Sequence, residues 1–379
     1  MTPRFLNSIT AIDAADWEAL AGQGYPFLSH EFLLALETTH CTGPGTGWQP
    51  QHLILEQNGQ LQAVMPLWLK THSWGEYVFD QDWARAYARH GLDYYPKLVA
   101  AIPFTPAPGP RVLMHPDADP AEVWPHLQQA LQHHTRQTGA SGWHILFPED
   151  AELPHWQNAA PGHRLGCQFH WFNRDYRSFD DFLGVMTAKR RKEIRRERKR
   201  VQDQGIRLQR LTGDDLTPEH WTQFYRFYRN TYQRRSGHDG YLTEAFFHAI
   251  HHHLRHRVLM VLARDEDDEA IGGALCFFSE DTLYGRYWGA LREVECLHFE
   301  ACLYQGIEFC IERGLTRFDP GAQGEHKIPR GFEPVLTHSF HALQHEGFRE
   351  AVGDFLGEER EAVRRYAEEA RGMLPFREG

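Results

Sequence analysis

VLMVLARDEDDEAIGGALCFF, residues 258–278, sets two apolar runs, 258–263 and 270–278, on either side of the acidic turn DEDDE (265–269). Each run has strand length and the turn is all charge, so the stretch predicts a β-hairpin. Outward from it, TLYGRYWGA (282–290) reads as a third strand. LHFEACLYQGIEFCIER (297–313) reads as a helix with Leu303, Ile307, Cys310 and Ile311 facing inward and Gly314 as its stop. TRFD (316–319) is then a short buried strand. Upstream, Thr217-Pro218 opens a helix bearing Trp221, Phe224, Tyr225, Tyr228 and Tyr232, and Thr243 caps a second with Phe246, Phe247, Ile250 and Leu254 on one face.

The first half has a similar order. Ser29 caps a helix through residue 38, and QHLILE and LQAVMPLWL form a hairpin across Asn58-Gly59. A proline- and aromatic-rich stretch (70–110), a strand at 111–114, a helix around 121–137 and WHILF (143–147) follow. The predicted class is α/β (α+β), with two lobes of one kind. Their expected ranges are 1–170 and 206–379, the latter ending in a C-terminal helix, with a basic linking helix in 171–205.

The chain has 379 residues and a net charge of −11, which argues against a general nucleic-acid binder. KRRKEIRRERKR (189–200) nevertheless holds nine basic residues and two glutamates, a local +7 that leaves −18 for the rest. Nine cations with few internal partners repel each other, so a polyanion would relieve that cost. Arg190, Arg191, Arg195, Arg196 and Lys199 are the expected contacts. tRNA, a nucleotide-linked precursor and an anionic membrane surface all fit. The N-terminus carries no basic-then-apolar leader and no apolar run is long enough to span a bilayer, so a cytoplasmic place is expected, with a peripheral position at the inner membrane open. The six cysteines form no CxxC pair and predict reduced thiols; no metal site is expected. The histidines at 248, 251, 252, 253 and 256 read as a solvated helix face.

FDPGAQGEHKIPRGF (318–332) leaves the last strand as a loop dense in titratable groups. A loop of this composition can supply a proton acceptor and cations that hold an anion. Glu325 and His326 are the candidate bases, and Lys327 and Arg330 can hold a phosphate or carboxylate, with Gln323 beside them. On the neighbouring strand, Arg286 and Trp288 share one face and Tyr287 the other. Arg286 must line a cleft or find an acidic partner. His298, Glu300 and Tyr304 stand at the start of the 297–313 helix, where Glu300 could equally serve the helix dipole. In the first lobe, YYPKLVAAIPFTPAPGPR (94–111) places Lys97 and Arg111 around a proline-rich segment that could wall a substrate cleft or simply cover a sheet.

The element order resembles GCN5-related N-acyltransferase (GNAT) lobes. RRKEIRRERKRVQDQGIRL (190–208), TLYGRYWGAL, TRFDPGA and a lysine before Gly-Phe are similar to the FemAB-like group, whose chains carry two such lobes. SHEFLLALE (29–37), YYPKLVAAIPFTP (94–106) and GAQGEHKIPRGF (321–332) extend the resemblance over nearly the whole chain to FemAB-like N-acyltransferases of Gram-negative bacteria. The best-known members of the group transfer amino acids from aminoacyl-tRNA to peptidoglycan precursors. The resemblance therefore implies an acyltransferase acting on an amine-bearing acceptor, with aminoacyl-tRNA or acyl-CoA as donor. Two departures stand out. There is no room for the long helical pair that holds tRNA in FemA-type enzymes. RYWGALREVECLHFE (286–300) also lacks the R/Q-x-x-G-x-G/A pattern with which acetyl-CoA-dependent lobes hold a pyrophosphate. Two other classes stay open: a non-catalytic recognition protein using the same cleft, and an acyl-CoA-dependent enzyme with an unusual pyrophosphate site. The sequence leaves the oligomeric state undetermined.

Overall fold

The structure is a computed structural model that describes residues 1–22, 24–322 and 324–377. The chain divides into two compact units, Met1–Gly166 with Leu336–Arg365, and Cys167–Val335 with Tyr366–Gly379. The divisions fall within the strands Gly162–Phe172 and Glu333–Leu343. Residues 336–365 therefore fold with the first unit, because Ser339–Leu343 pairs antiparallel with Leu146–Gly142.

In the first unit the hairpin His52–Gln57 and Gln60–Met65 turns through Asn58 and Gly59, both at positive φ. Thr2–Leu6 and Leu113–Met114 flank it, so the expected 111–114 strand keeps only its last two residues. A second sheet runs from Trp48–Pro50 through Trp68–Lys70 and Lys97–Ala100 to Gly142–Leu146, the last two parallel. The helix Pro120–Gln137 closes one side through Val123, Leu127 and Leu131, all at most 1% exposed.

Arg111 lies in this unit and is 1% exposed. Its guanidinium donates to the carbonyls of Leu146 (2.7 Å), Ala107 (2.8 Å), Pro110 (2.8 Å) and Gly109 (3.1 Å). The expected substrate contact is replaced by a clamp on backbone oxygens that would otherwise be buried unpaired. Glu152 completes it, accepting from the amides of Arg111 (2.6 Å) and Val112 (2.9 Å) and from Trp156 Nε1 (2.8 Å). Glu152→Gln keeps one accepting oxygen but turns an NH2 donor toward the donors on the other, and chemical denaturation should show a loss of about 2 kcal/mol.

The second unit follows the order predicted from 258–278. Its sheet runs Arg207–Thr212, Val258–Arg264, Ala270–Phe278, Thr282–Ala290, Arg317–Asp319 and Gly162–Phe172. All pairs are antiparallel except Thr282–Ala290 with Arg317–Asp319. Helices Pro218–Ser236 and Glu244–Leu254 bury Trp221, Phe224, Phe246, Phe247 and Ile250, as their spacing predicted. The 297–313 helix is present, with a π-helical segment at Glu300–Tyr304 between α-helical turns. Such segments widen one turn and redirect the side chains beside it.

The basic helix is Ala188–Asp203 and packs inside this unit through Ile194 and Val201. Its cations have more partners than the sequence suggested. Arg190 pairs with Glu193, Arg195 with Asp180, Arg198 with Glu300 and Glu308, Lys199 with Asp203, and Arg200 with Glu295. Arg191 donates to the carbonyl of Met186 at 2.7 Å. Lys189, Lys192 and Arg196 stay exposed without an ion-pair partner among the described residues.

Candidate active site

The pairing of Thr282–Ala290 with Arg317–Asp319 ends early. Thr282, Leu283 and Tyr284 meet Arg317, Phe318 and Asp319, after which the longer strand runs on to Ala290 with a partner on one side only. Two parallel strands that part in this way leave an opening at their C-terminal ends, where α/β sheets place their ligands.

Asp319 and Arg286 stand at the point of divergence. Asp319 is fully buried, and its carboxylate accepts from Arg286 Nη2 at 2.6 Å and from the Gly321 amide at 2.8 Å. His170 Nε2 lies 3.7 Å from the same carboxylate. Burial alone would raise this acid, but Arg286 and then His170 hold its carboxyl well below the usual range. Burial lowers His170 to about 4, so the imidazole is neutral. Arg286 has the acidic partner that one of its two readings called for. Gly321 turns the chain at φ +90°, a conformation side chains avoid, and a Cβ there would come within 3.2 Å of the Gly285 carbonyl.

Beyond Gly321 the loop becomes a 3-10 turn, Glu325–Arg330, which sends its side chains in separate directions. Lys327 points back into the protein, 4% exposed, and its Nζ donates to the Gly321 carbonyl at 2.7 Å. Burial lowers this ammonium to about 8, with Asp319 opposing the shift and Arg286 adding to it. His326 packs against the rings of His298 (centroids 5.8 Å) and Phe299 (5.7 Å). Burial, then Lys327 and Arg330, lower its pKa, so it is neutral near pH 7. Glu325 faces elsewhere and accepts from Tyr366 at 2.9 Å. Arg330 lies over the Phe299 ring at 3.5 Å and donates to Glu197 (2.6 Å) and Tyr304 (2.9 Å). Gln323 lies outside the described residues.

The N-terminal turns of the 297–313 helix form the opposite wall. His298 sits between Trp288 (centroids 5.5 Å) and His326, and burial, followed by the cations around it, brings it to about 4. Glu300 is taken by Arg198, whose Nε and Nη2 reach it at 3.0 and 2.9 Å, so it serves the basic helix rather than the opening. Tyr304 donates to Glu197. On the strand, Tyr287 packs on the far face against Tyr228 and Phe247, as the alternation required.

An open pocket of about 620 Å³ adjoins His298, lined by Trp288, Thr231, Arg235 and Arg292 among others. Gly289 lets the helix Pro218–Ser236 lie directly on this strand, since a Cβ would fall 2.2 Å from the Phe227 backbone. Asn230 and Thr231 then fix the strand end through the oxygen and amide of Ala290, at 2.6 and 3.1 Å. Arg235 has no ion-pair partner among the described residues, which gives the pocket an uncompensated cation. No cluster of His, Cys, Asp or Glu able to hold a metal occurs among the described residues.

A family model for FemAB-like proteins, described as peptidoglycan biosynthesis/recognition, matches residues 8–378. The chain belongs to the FemAB-like family. With that family comes a transferase role, on a mixed α/β fold. FemX superposes on this FemAB-like chain with a TM-score of 0.54 at 13% identity, covering 93% of this chain and 100% of FemX. The C-terminal domain of a protein named for lysylphosphatidylglycerol synthesis in Agrobacterium fabrum gives 0.52 at 11%, covering 92% and 97%. A conserved protein of unknown function from Bacteroides thetaiotaomicron gives 0.52 at 11%, covering 90% and 99%. These likenesses are of fold. No curated protein sequence matches the chain.

Lys97 belongs to the other unit and is fully buried. Its Nζ donates to Glu76 (2.7 Å), Ser73 (2.8 Å) and Asp80, so the expected cleft wall is an internal ion cluster. Sequence reasoning missed Asp319, His170 and Glu197 as partners of the site. The apolar run ending at Asp319, beside a strand that carries Arg286, was the available signal for the first.

Proposed function

We propose that this chain transfers an aminoacyl or acyl group onto the amine of a cell-wall precursor, at the opening between Arg286–Ala290 and Asp319–Arg330. The observation that carries the reading is Lys327, a buried ammonium fixed beside an ion pair where the two strands part. Its positive charge, in a site of low dielectric, suits the oxygen of a carbonyl under attack. The acceptor nitrogen forms a bond to the acyl carbon, negative charge builds on the carbonyl oxygen near Lys327, and the bond to the donor's carrier breaks. His326, neutral and exposed at the loop, takes the proton that the nitrogen sheds. Arg286 and Asp319 are positioning residues, since they neutralise each other and fix the Gly321 carbonyl that aims Lys327.

The aminoacyl donor would come on tRNA, with Lys189, Lys192 and Arg196 as its contacts on the basic helix. K189A/K192A/R196A should weaken binding of total tRNA and flatten its dependence on log salt by up to about 3. Salt-independent binding, or binding unchanged by the substitutions, removes tRNA from the account. Transfer itself is tested with radiolabelled aminoacyl-tRNA and acyl-CoA pools and an amine-bearing peptidoglycan precursor. Label should move to the precursor from one pool only. The separate directions taken by Glu325, His326 and Arg330 favour a second reading, recognition without catalysis. A recogniser binds the precursor, moves no label and loses affinity when Lys327 is replaced.

A further inference from the structure

The basic helix Ala188–Asp203 holds two glutamates among the nine cations of 189–200, and the two are used differently. Glu193 pairs with Arg190 of the same helix at 2.6 Å. Glu197, one turn on, leaves the cations around it and meets Arg330, 133 residues further along the chain. Arg330 Nη2 donates to its Oε1 at 2.6 Å and Nε to its Oε2 at 3.2 Å, a two-pronged contact that fixes direction as well as distance. Tyr304 donates to the same carboxylate and accepts from Arg330 Nε at 2.9 Å. The side chains of Glu197 and Arg330 are 22% and 10% exposed, so water loosens this pair less than it would a surface pair.

Arg330 reaches both walls of the opening. Its Nη1 donates to the His326 carbonyl at 2.6 Å, which fixes the backbone of the Glu325–Arg330 turn. Its guanidinium lies 3.5 Å from the centre of the Phe299 ring, on the 297–313 helix, and His326 packs against Phe299 and His298. Beside Glu197, Arg198 grips the same helix, through Glu300 at 2.9 and 3.0 Å and Glu308 at 2.6 Å. Adjacent residues of the basic helix thus hold the first and last residues of the π-helical segment, Glu300 and Tyr304. Such segments recur at functional sites. The relative position of the two walls therefore depends on a carboxylate of a third element. That element is the helix whose outer face carries Lys189, Lys192 and Arg196.

We infer that Glu197 and Arg330 are positioning residues for the transfer: Glu197 anchors Arg330, and Arg330 sets the spacing between His326 and the His298–Phe299 wall. The inference rests on the reaction assigned above to this opening, and it makes the donor-docking helix part of the site's geometry. E197Q keeps the side-chain shape without the charge, and R330K keeps a charge without the fork. Each should lower kcat by about tenfold or more with KM for aminoacyl-tRNA within about twofold, because misplaced reacting groups act on rate and the outer cations are untouched. E197Q/R330K should lose no more than R330K alone, since Glu197 acts through Arg330. E193Q makes the same charge change on the same helix and should leave kcat unchanged. Circular dichroism checks that each variant is folded. The His326 ring signal in nuclear magnetic resonance, assigned with H326Q, needs no activity: E197Q and R330K should move it and E193Q should not. That signal decides the positioning whether or not the chain transfers label, so failure of the inference is distinct from failure of the reaction. Three outcomes overturn the inference: a natural kcat in folded E197Q, losses that multiply in the double variant, or a His326 signal moved as far by E193Q as by E197Q.

Discussion

Asp319→Ala should destabilise the protein by about 3–5 kcal/mol, read as a lower urea midpoint at pH 7. The carboxylate and Arg286 are each 1% exposed at the side chain, so the substitution strands a buried guanidinium rather than a surface one. It also removes the acceptor of the Gly321 amide, which shapes the loop behind it. The pair itself is not the source of that large figure, because removing one ion leaves the other's desolvation uncompensated. Asp319→Ala combined with Arg286→Met should therefore recover much of the loss. The pH dependence has a definite sign. Asp319 is depressed in the folded state, so its contribution is complete above the unfolded carboxylate value of about 3.9 and is lost as pH falls below it. The natural protein should lose stability faster in acid than Asp319→Ala does.

Lys327→Met should lower transfer by about 10²–10³ while leaving the fold at least as stable. The loss in rate is what the proposed role of this cation beside the developing oxyanion requires. The stability expectation comes from the same burial that brings Lys327 to about 8. A lysine lowered in the folded state binds fewer protons there than in the unfolded chain at pH values between about 8 and 10.4, so stability rises with pH across that window. At neutral pH the folded protein carries the full cost of a buried ammonium. Methionine has a similar length without that cost. Unchanged transfer in a folded Lys327→Met protein would remove Lys327 from the reaction and leave the recognition reading in its place.

The second unit was legible because its strands are apolar runs cut by charge and its helices repeat every three to four residues. Thr282–Ala290 and Val258–Arg264 emerge within a residue of their expected bounds. The strands Gly162–Phe172 and Glu333–Leu343 were not legible. They bury Gln168, His170, Thr337, Ser339 and His341, which break the alternation that marks a strand. The site divides in the same way. The density of charge in 318–332 drew attention to Lys327, and burial then gave it a distinct environment. Lys97 and Arg111 carry the same residue types as substrate contacts, and only the fold supplies their partners. Those are acids 17 and 21 residues upstream for Lys97 and four backbone oxygens for Arg111. The charge run at 189–200 misled for a related reason, since Glu300, Glu308, Glu295 and Asp180 lie outside it in sequence.

The most direct test of the reaction assigned to this site is the ratio of natural to Lys327→Met transfer rates, followed from pH 7 to pH 10. Taking the ratio cancels the titration of the acceptor amine and leaves that of Lys327. If the protonated lysine stabilises the oxyanion, the ratio is large at pH 7 and falls about tenfold per pH unit above about 8. A ratio near one at pH 7, or one that stays constant to pH 10, contradicts the account.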